Sequence, residues 1–187
     1  MTTLWSELLQ TARTATDLDV LTAAVRAAIA RGADWQDTAD RVAGALREHL
    51  PSPGELLRPD QLAGEPGTSS GHRLHVEPDG SFSMTAIVWQ PGAVTRVHDH
   101  VAWCVFGVLA GAEHEDLYTL SDDGAALIGA GANPNPAGEV SGFAPPGDIH
   151  RVRNLGDTTA VSLHIYGTDL DRVGSSVRRF YDLPVRD

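Results

Sequence analysis

The segment TRVHDHVAWC, residues 95–104, contains two histidines one residue apart and the only cysteine of the chain. Alternate residues of a β-strand share one face, so His98 and His100 are expected to point the same way. If that face lines the interior of a barrel, the two imidazoles converge on one point, as the ligands of a metal ion must. Taken alone, the pair is also compatible with polar packing inside the fold.

Two spaced motifs include this segment and extend the pattern downstream. The first comprises Gly92, His98, His100, Cys104 and Gly111, and the second, PPGDIHRVRN at residues 145–154, comprises Pro145, Gly147, His150 and Asn154. Their order and spacing resemble the two motifs of the cupins, with cysteine where the first motif usually has glutamate. The resemblance implies a small antiparallel barrel of the double-stranded β-helix type. It also implies that His98, His100 and His150 bind a metal ion inside that barrel.

A set of three histidines without a carboxylate carries no charge of its own. The full charge of a divalent ion is then left for the substrate to balance. Up to about three positions of an octahedral ion also stay open, much as in non-haem iron oxygenases. Such a site suits a soft, anionic ligand such as a thiolate together with dioxygen.

After about residue 70, the sequence pattern is typical of short β-strands. Four runs rich in β-branched and aromatic residues are separated by Gly, Pro and Asp: residues 81–92, 102–111, 113–120 and 158–167. Such spacing without intervening helices predicts a mainly β, antiparallel barrel. Residues 122–147, rich in Gly, Ala, Asn and Pro, predict a loop or a hairpin across the barrel end. The charged run EHED, residues 113–116, is expected to be a strand in which His114 is exposed.

The first fifty residues predict α-helices in front of the barrel. Residues 16–32 and 33–53 carry apolar side chains at three- and four-residue steps, with Asp34 as an N-cap and Pro51 as a stop for the second helix. Gly32 is the expected stop of the first helix, and residues 3–12 form a shorter candidate. We expect residues 1–58 to pack as a helical segment on a barrel of residues 59–187, in one structural domain. The apolar positions are Leu18, Leu21, Val25 and Ile29 in the first helix and Trp35, Ala39, Val42 and Leu46 in the second.

Composition and charge exclude several classes of function. A formal net charge of −11 argues against binding a phosphate backbone, and no nucleic-acid partner is expected. All 14 basic residues are arginine, which excludes a Schiff-base lysine and a P-loop lysine. No apolar run approaches the roughly 20 residues of a membrane span, and the first residues lack the basic region of a secretory signal. We therefore expect a cytoplasmic protein without a membrane partner, either a monomer or a homodimer.

Three segments together resemble the cysteine dioxygenase family of thiol dioxygenases: HDHVAWC, DIHRVRN and VSLHIYG. The resemblance covers about residues 70–170, and the preceding helices also suit the family. It implies Fe(II) as the metal, dioxygen as the cosubstrate and a relay of Ser162, His164 and Tyr166. Because these three residues alternate, they share one strand face, so that serine can orient histidine and histidine can hold the tyrosine hydroxyl near the iron.

The single cysteine has two interpretations. Counted back from Gly111, Cys104 stands where animal members of the family have the cysteine that forms a thioether with the active-site tyrosine, here Tyr166. The alternative is a small buried hydrophobe, since free cysteine is among the most buried residue types. A thioether predicts an intact mass that lacks two hydrogen atoms, and Cys104→Ala should abolish that deficit. An unmodified mass in active enzyme would exclude the crosslink.

The arginine that binds the substrate carboxylate in cysteine dioxygenases has no direct counterpart. Ungapped spacing from Phe82 and Trp89 puts His72 at its position, and the neighbouring Arg73 is expected on the other face unless a bulge intervenes. We keep His72 and Arg73 as candidate substrate contacts, and we expect a substrate other than free L-cysteine. Arg96 and Arg151 are predicted to form ion pairs at the surface or the barrel rim.

The prediction for function is an Fe(II)-dependent thiol dioxygenase that converts a small-molecule thiol to its sulfinic acid with both atoms of O2. A thiol like 3-mercaptopropionate, or a larger one such as a thiol-imidazole, is the expected substrate. L-cysteine dioxygenase proper remains an alternative. A zinc or manganese isomerase or hydrolytic-type enzyme and a non-catalytic sensor cupin are the others. Iron-dependent oxygen uptake separates the dioxygenases from the last two classes.

Overall fold

The structure is a computed structural model that describes residues 16–31 and 34–186. The short helix predicted at residues 3–12 and the helix stop predicted at Gly32 lie outside the described residues. Among the described residues, no helix is long and apolar enough to cross a membrane.

The two main predicted helices are confirmed, α1 at Asp17–Ile29 and α2 at Trp35–Glu48. Thr16 and Asp19 close a capping box at the start of α1, and this satisfies backbone N–H groups that have no partner within the helix. The side chain of Asp34 accepts a hydrogen bond from the backbone of Asp37, as an N-cap does. A short α3 at Pro53–Leu56 and a 3-10 turn at Pro59–Leu62 lead into the sheets.

One end of the predicted packing stripe of α2 is wrong. Trp35 is 48% exposed, whereas Ala39, Val42 and Leu46 are fully buried. Trp35 is the first residue of the helix and does not belong to the core cluster that contains the other three. The stripe that packs therefore begins one turn later.

In the part of the chain that the structure describes, eleven strands form two sheets, and every pair of neighbours is antiparallel except β6 and β11. One sheet has the order β1 (Ser69–Val76), β2 (Ser83–Trp89), β9 (Ala160–Tyr166), β4 (Cys104–Ala110), β7 (Val140–Phe143). The other has the order β10 (Val177–Phe180), β3 (His98–His100), β8 (Ile149–Arg153), β5 (Ala112–Leu120), β6 (Leu127–Pro136), β11 (Val185–Arg186). A short α4, Leu170–Val173, follows β9. The predicted mainly β, antiparallel architecture with helices in front is confirmed.

The loop or hairpin predicted at residues 122–147 is confirmed only in part. It contains two strands, β6 and β7, and β6 forms a long hairpin with β5. Most side chains of β6 are small and exposed, so the segment lacks the alternation that marks a half-buried strand. Backbone pairing along β5 holds β6 in place instead.

The main hydrophobic core lies between the helices and the five-stranded sheet. Leu21, Val25 and Leu46 of the helices pack against the sheet, where Leu163 and Ile165 of β9 are fully buried. Alternation then turns the remaining residues of β9 toward the other sheet. The helices thus fix the orientation of the strand that carries the predicted relay. The division of the chain at residues 58 and 59 stays a prediction.

Candidate metal centre

Two neighbouring strands bring the three predicted ligand histidines together. His98 and His100 lie at the two ends of β3, and His150 of β8 is the antiparallel partner of His98. All three are buried, and one nitrogen from each lies within 4.8 Å of the others. Three buried histidines are therefore positioned to bind a metal.

Each ring is fixed through its Nδ1 nitrogen by an oxygen acceptor. His98 donates to the carbonyl oxygen of Arg96 at 2.9 Å, and His100 donates to the carboxylate of Asp148 at 3.0 Å. His150 donates to the carboxylate of Glu115 at 2.5 Å. Because these acceptors need the proton on Nδ1, the lone pair of each ring is left on Nε2.

The arrangement of the Nε2 atoms fits a cation. Nε2 of His98 and Nε2 of His150 are 3.3 Å apart. With both protons on Nδ1, two lone pairs face each other there and no hydrogen bond can join them. Burial, reinforced by the neighbouring His150 and His100, lowers the pKa of His98 to about 3, so its ring stays neutral. Neutral imidazoles that converge with free lone pairs form a donor set for a first-row divalent metal.

The carboxylates that sequence reasoning missed lie one step behind the histidines. Burial raises the pKa of Glu115, but the hydrogen bond from His150 and the electrostatic interaction with its ring outweigh burial, and the net shift is downward. The pKa of Asp148 is also lowered on balance, because hydrogen bonds from the ring and the backbone N–H of His100 outweigh burial. Both side chains therefore stay ionised and bring negative charge near the metal position without binding there.

The strand expected at EHED is part of β5, where His114, expected to be exposed, is half-buried. Glu113 and Glu115 are buried in the barrel, whereas Asp116 points outward and pairs with Arg151 and Arg153. The signal was present as alternation, since residues two apart share a face. A run of charges masked it, because charged side chains are seldom fully buried.

The five-stranded sheet forms the wall opposite the histidines, and its strand β9 carries the predicted relay residues. Oγ of Ser162 lies 2.9 Å from Nε2 of His164 and accepts a hydrogen bond from the indole of Trp89 at 3.0 Å. The rings of His164 and Tyr166 stack with centroids 5.8 Å apart. Among the described residues, no hydrogen bond joins the hydroxyl of Tyr166 to His164. The structure thus joins serine to histidine by a hydrogen bond, whereas histidine and tyrosine contact each other by ring stacking.

Cys104 and Tyr166 face each other on neighbouring strands. They are direct antiparallel partners of β4 and β9, and both belong to one buried cluster. Sγ of Cys104 also lies 3.9 Å from Nδ1 of His164. Burial, with Glu115, Glu113 and Asp148 nearby, raises the pKa of the Cys104 thiol well above its usual value. The thioether stays a prediction, and the register places its two residues as neighbours.

A cavity of about 390 Å³ separates the two walls, a size suited to a small molecule. All three ligand histidines line it, as do Cys104, His164 and Tyr166. Aromatic and aliphatic side chains make up much of the remaining surface. They include Ile87, Trp89, Phe106, Phe143, Val152 and Phe180.

The expected orientation of the first strand is corrected. Gly71 lines the cavity and His72 does not; the ring of His72 is hydrogen-bonded to Gln61 and Ser70 instead. A bulge between Arg73 and His75 shifts the alternation by one residue, so an ungapped count turns the wrong residue inward. Arg73 shares the face of Gly71.

All the arginines expected near the site are paired with acids. Arg73 contacts Asp171 at 2.6 Å. Arg96 lines the cavity, but it pairs with Asp182 at 2.8 Å and its guanidinium lies over the ring of Phe180. The predicted ion pairs of Arg96 and Arg151 are confirmed.

Comparison with known proteins gives one family and several similar folds. Residues 69–180 match the family model described as "Cysteine dioxygenase type I". Among solved structures, a recombinant oxalate oxidase in complex with glycolate is 22% identical, with a TM-score of 0.45, over 56% of this chain and 53% of that one. A cupin 2 conserved barrel domain protein from Salinispora arenicola is 21% identical, with a TM-score of 0.41, over 58% and 84%. The chain thus spans about half the length of the oxalate oxidase, and these likenesses concern the fold alone.

Proposed function

Because the chain belongs to the cysteine dioxygenase type I family, we propose that it is an Fe(II)-dependent thiol dioxygenase acting on a small-molecule thiol other than free L-cysteine. The reaction adds both atoms of dioxygen to sulfur, so that R–S⁻ and O2 give R–SO2⁻. The electrons that sulfur loses reduce both oxygen atoms. No external reductant is therefore required.

One observation carries this proposal: three buried histidines with free Nε2 atoms, and no carboxylate among them, face one cavity. The neutral donor set favours an anionic ligand opposite it. When bound by His98, His100 and His150, iron would lower the pKa of a coordinated thiol and hold thiolate and dioxygen together. The carbonyl of Arg96 and the carboxylates of Asp148 and Glu115 keep the three rings oriented for this task.

The opposite wall supplies the groups that position the substrate. Burial, reinforced by Cys104, raises the pKa of Tyr166 well above its usual value, so its hydroxyl keeps its proton and can donate a hydrogen bond to the substrate. Trp89 and Ser162 hold the His164 ring, on which the ring of Tyr166 stacks. The aromatic lining keeps bulk water away from the thiolate.

The choice of a substrate other than free L-cysteine is supported by the ion pairs around the cavity. A carboxylate is recognised best by an available guanidinium, which offers two parallel N–H donors. Arg73 and Arg96 are each engaged by an acidic side chain, and His72 points away from the cavity. Binding L-cysteine through its carboxylate would require one of these ion pairs to open.

Oxygen uptake by anaerobically iron-loaded protein tests the proposal. The thiols are L-cysteine, cysteamine, 3-mercaptopropionate, 3-mercaptolactate and a thiol-imidazole, and mass spectrometry checks each product for two added oxygen atoms. We expect uptake with at least one thiol other than L-cysteine, in equal amount to its sulfinate. Loading with zinc should give no uptake. A preference for L-cysteine would refute the proposal that the substrate is another thiol. No oxygen uptake with any thiol would refute the proposal that the protein is a thiol dioxygenase.

A further inference from the structure

Glu113 is a buried carboxyl group that the proposed chemistry leaves unused. It lines the cavity and is 2% exposed. Among the described residues, its Oε1 has no hydrogen-bond partner. The nearest basic group is Nε2 of His164, 4.0 Å away, and that nitrogen already contacts Ser162 at 2.9 Å.

Glu115 gives the matched case, because it lies two residues away on the same face of β5. It is equally buried, but its carboxylate accepts the short hydrogen bond from His150. Burying a carboxylate is costly unless a donor or a cation compensates it. Glu115 has a hydrogen-bond donor for its carboxylate, whereas Oε1 of Glu113 has none among the described residues and lies 4.0 Å from Nε2 of His164.

The other charges around the cavity do not supply the missing partner. Arg73 and Arg96 are held by Asp171 and Asp182. Aromatic rings lie beside the same corner, since Phe106 stacks on His164 with centroids 5.6 Å apart. An acidic group among aromatic faces is an environment that attracts a cation and disfavours a second carboxylate.

We propose that Glu113 binds a cationic nitrogen group of the substrate, so that the enzyme takes a cationic thiol; this rests on the proposed thiol dioxygenase function. The two ends of the substrate then meet opposite requirements. Its sulfur faces the neutral nitrogens of the three histidines, and its ammonium or imidazolium group faces Glu113. The same side chain disfavours thiols that end in a carboxylate, such as 3-mercaptopropionate.

Three thiols of similar length test this, since cysteamine ends in an ammonium, 2-mercaptoethanol in a hydroxyl and 3-mercaptopropionate in a carboxylate. The iron-loaded full chain should have its highest kcat/KM with cysteamine. Glu113→Gln should lower that value about 10- to 100-fold, mainly through KM. The same substitution should leave kcat/KM for 2-mercaptoethanol unchanged and should raise kcat/KM for 3-mercaptopropionate. The exposed Glu139→Gln removes the same charge away from the cavity and should change none of the three values.

A binding measurement separates this inference from the proposed function. Saturation-transfer NMR on metal-free protein should detect cysteamine in the wild type and in Glu139→Gln, and a dissociation constant at least tenfold weaker in Glu113→Gln. This result would support the cation site even if no thiol were oxidised. Equal losses of kcat with all three thiols would overturn it, because Glu113 would then act through His164. A wild-type preference for 3-mercaptopropionate, or Glu113-independent cysteamine binding, would also overturn it.

Discussion

The two sheets face each other across one cavity, but they hold their polar groups in different ways. On the six-stranded sheet, the histidines of β3 and β8 are fixed by a backbone carbonyl and by two ionised carboxylates, Asp148 and Glu115. On the five-stranded sheet, Ser162 and His164 contact each other, and Cys104 and Tyr166 are buried with raised pKa values. The six-stranded sheet is therefore suited to bind a cation, whereas Cys104 and Tyr166 on the five-stranded sheet stay protonated.

This difference predicts that metal binding and turnover can be separated by mutation. Changes on the six-stranded sheet should remove or weaken the metal. Changes on the five-stranded sheet should slow the reaction while the metal stays bound.

The largest effect is expected for His150→Ala on the six-stranded sheet. The variant loses one of three ligands and leaves Glu115 as a buried carboxylate without its hydrogen-bond donor. We expect loss of stoichiometric iron and of oxygen uptake, measured by metal analysis after gel filtration. His114→Ala, on the outward face of β5, is the matched control and should keep its iron. A His150→Ala protein with full iron and full turnover would show that the ligand set is wrong.

Tyr166→Phe is the corresponding change on the five-stranded sheet. It removes the hydroxyl that donates to the substrate, and we expect turnover to fall about 100-fold. Iron content should equal that of the wild type, because no ligand or ligand partner changes. Tyr118→Phe removes a hydroxyl that does not line the cavity and should leave turnover unchanged. If Tyr166→Phe loses iron, the two walls are not independent.

The parts of the site that the sequence predicted are those that follow from local alternation. His98 and His100 share a face because they are two residues apart, and Ser162, His164 and Tyr166 do so for the same reason. These predictions needed no knowledge of distant strands, although their roles came from a family resemblance.

The parts that the sequence did not predict depend on neighbours in space. Glu115 belongs to a charged run, and only its place on an interior strand of the barrel sheet makes it a partner of His150. Gly71 lines the cavity in place of His72 because of a bulge, which no composition rule locates. Strand β6 carries little alternation and is defined by its pairing with β5.

Glu115→Gln tests whether the carboxylates behind the ligands belong to the metal wall. The amide keeps the size of the side chain but removes its charge, so it holds the His150 ring less firmly. We expect metal affinity to fall about 10- to 100-fold, measured by competition with a chelator. Asp116→Asn, the next residue on the outward face, should leave affinity unchanged. Equal affinities in the wild type and Glu115→Gln would confine the metal wall to the histidines themselves.

The smallest effect concerns the stability of the metal-free protein in acid. Burial holds the pKa of His98 at about 3, against 6.5 for an unburied histidine, and burial also lowers the pKa of His100. Between pH 3 and pH 6.5, His98 therefore binds a proton in the unfolded chain but not in the folded chain. The contribution of His98 to the free energy of unfolding is therefore fully present above pH 6.5 and is lost as the pH falls toward 3. Cys104 and Tyr166 have raised pKa values and contribute nothing in this range.

From pH 7 to pH 5, His98 alone should lower the free energy of unfolding by about 2 kcal/mol. Urea denaturation of metal-free protein at both values measures the change, and His98→Asn should show a drop that is smaller by that amount. Bound metal should suppress the effect, because it occupies the same lone pairs that protons would take. Equal drops in the wild type and His98→Asn would mean that acid destabilises the fold elsewhere, and the contrast between the two walls would then not extend to protons.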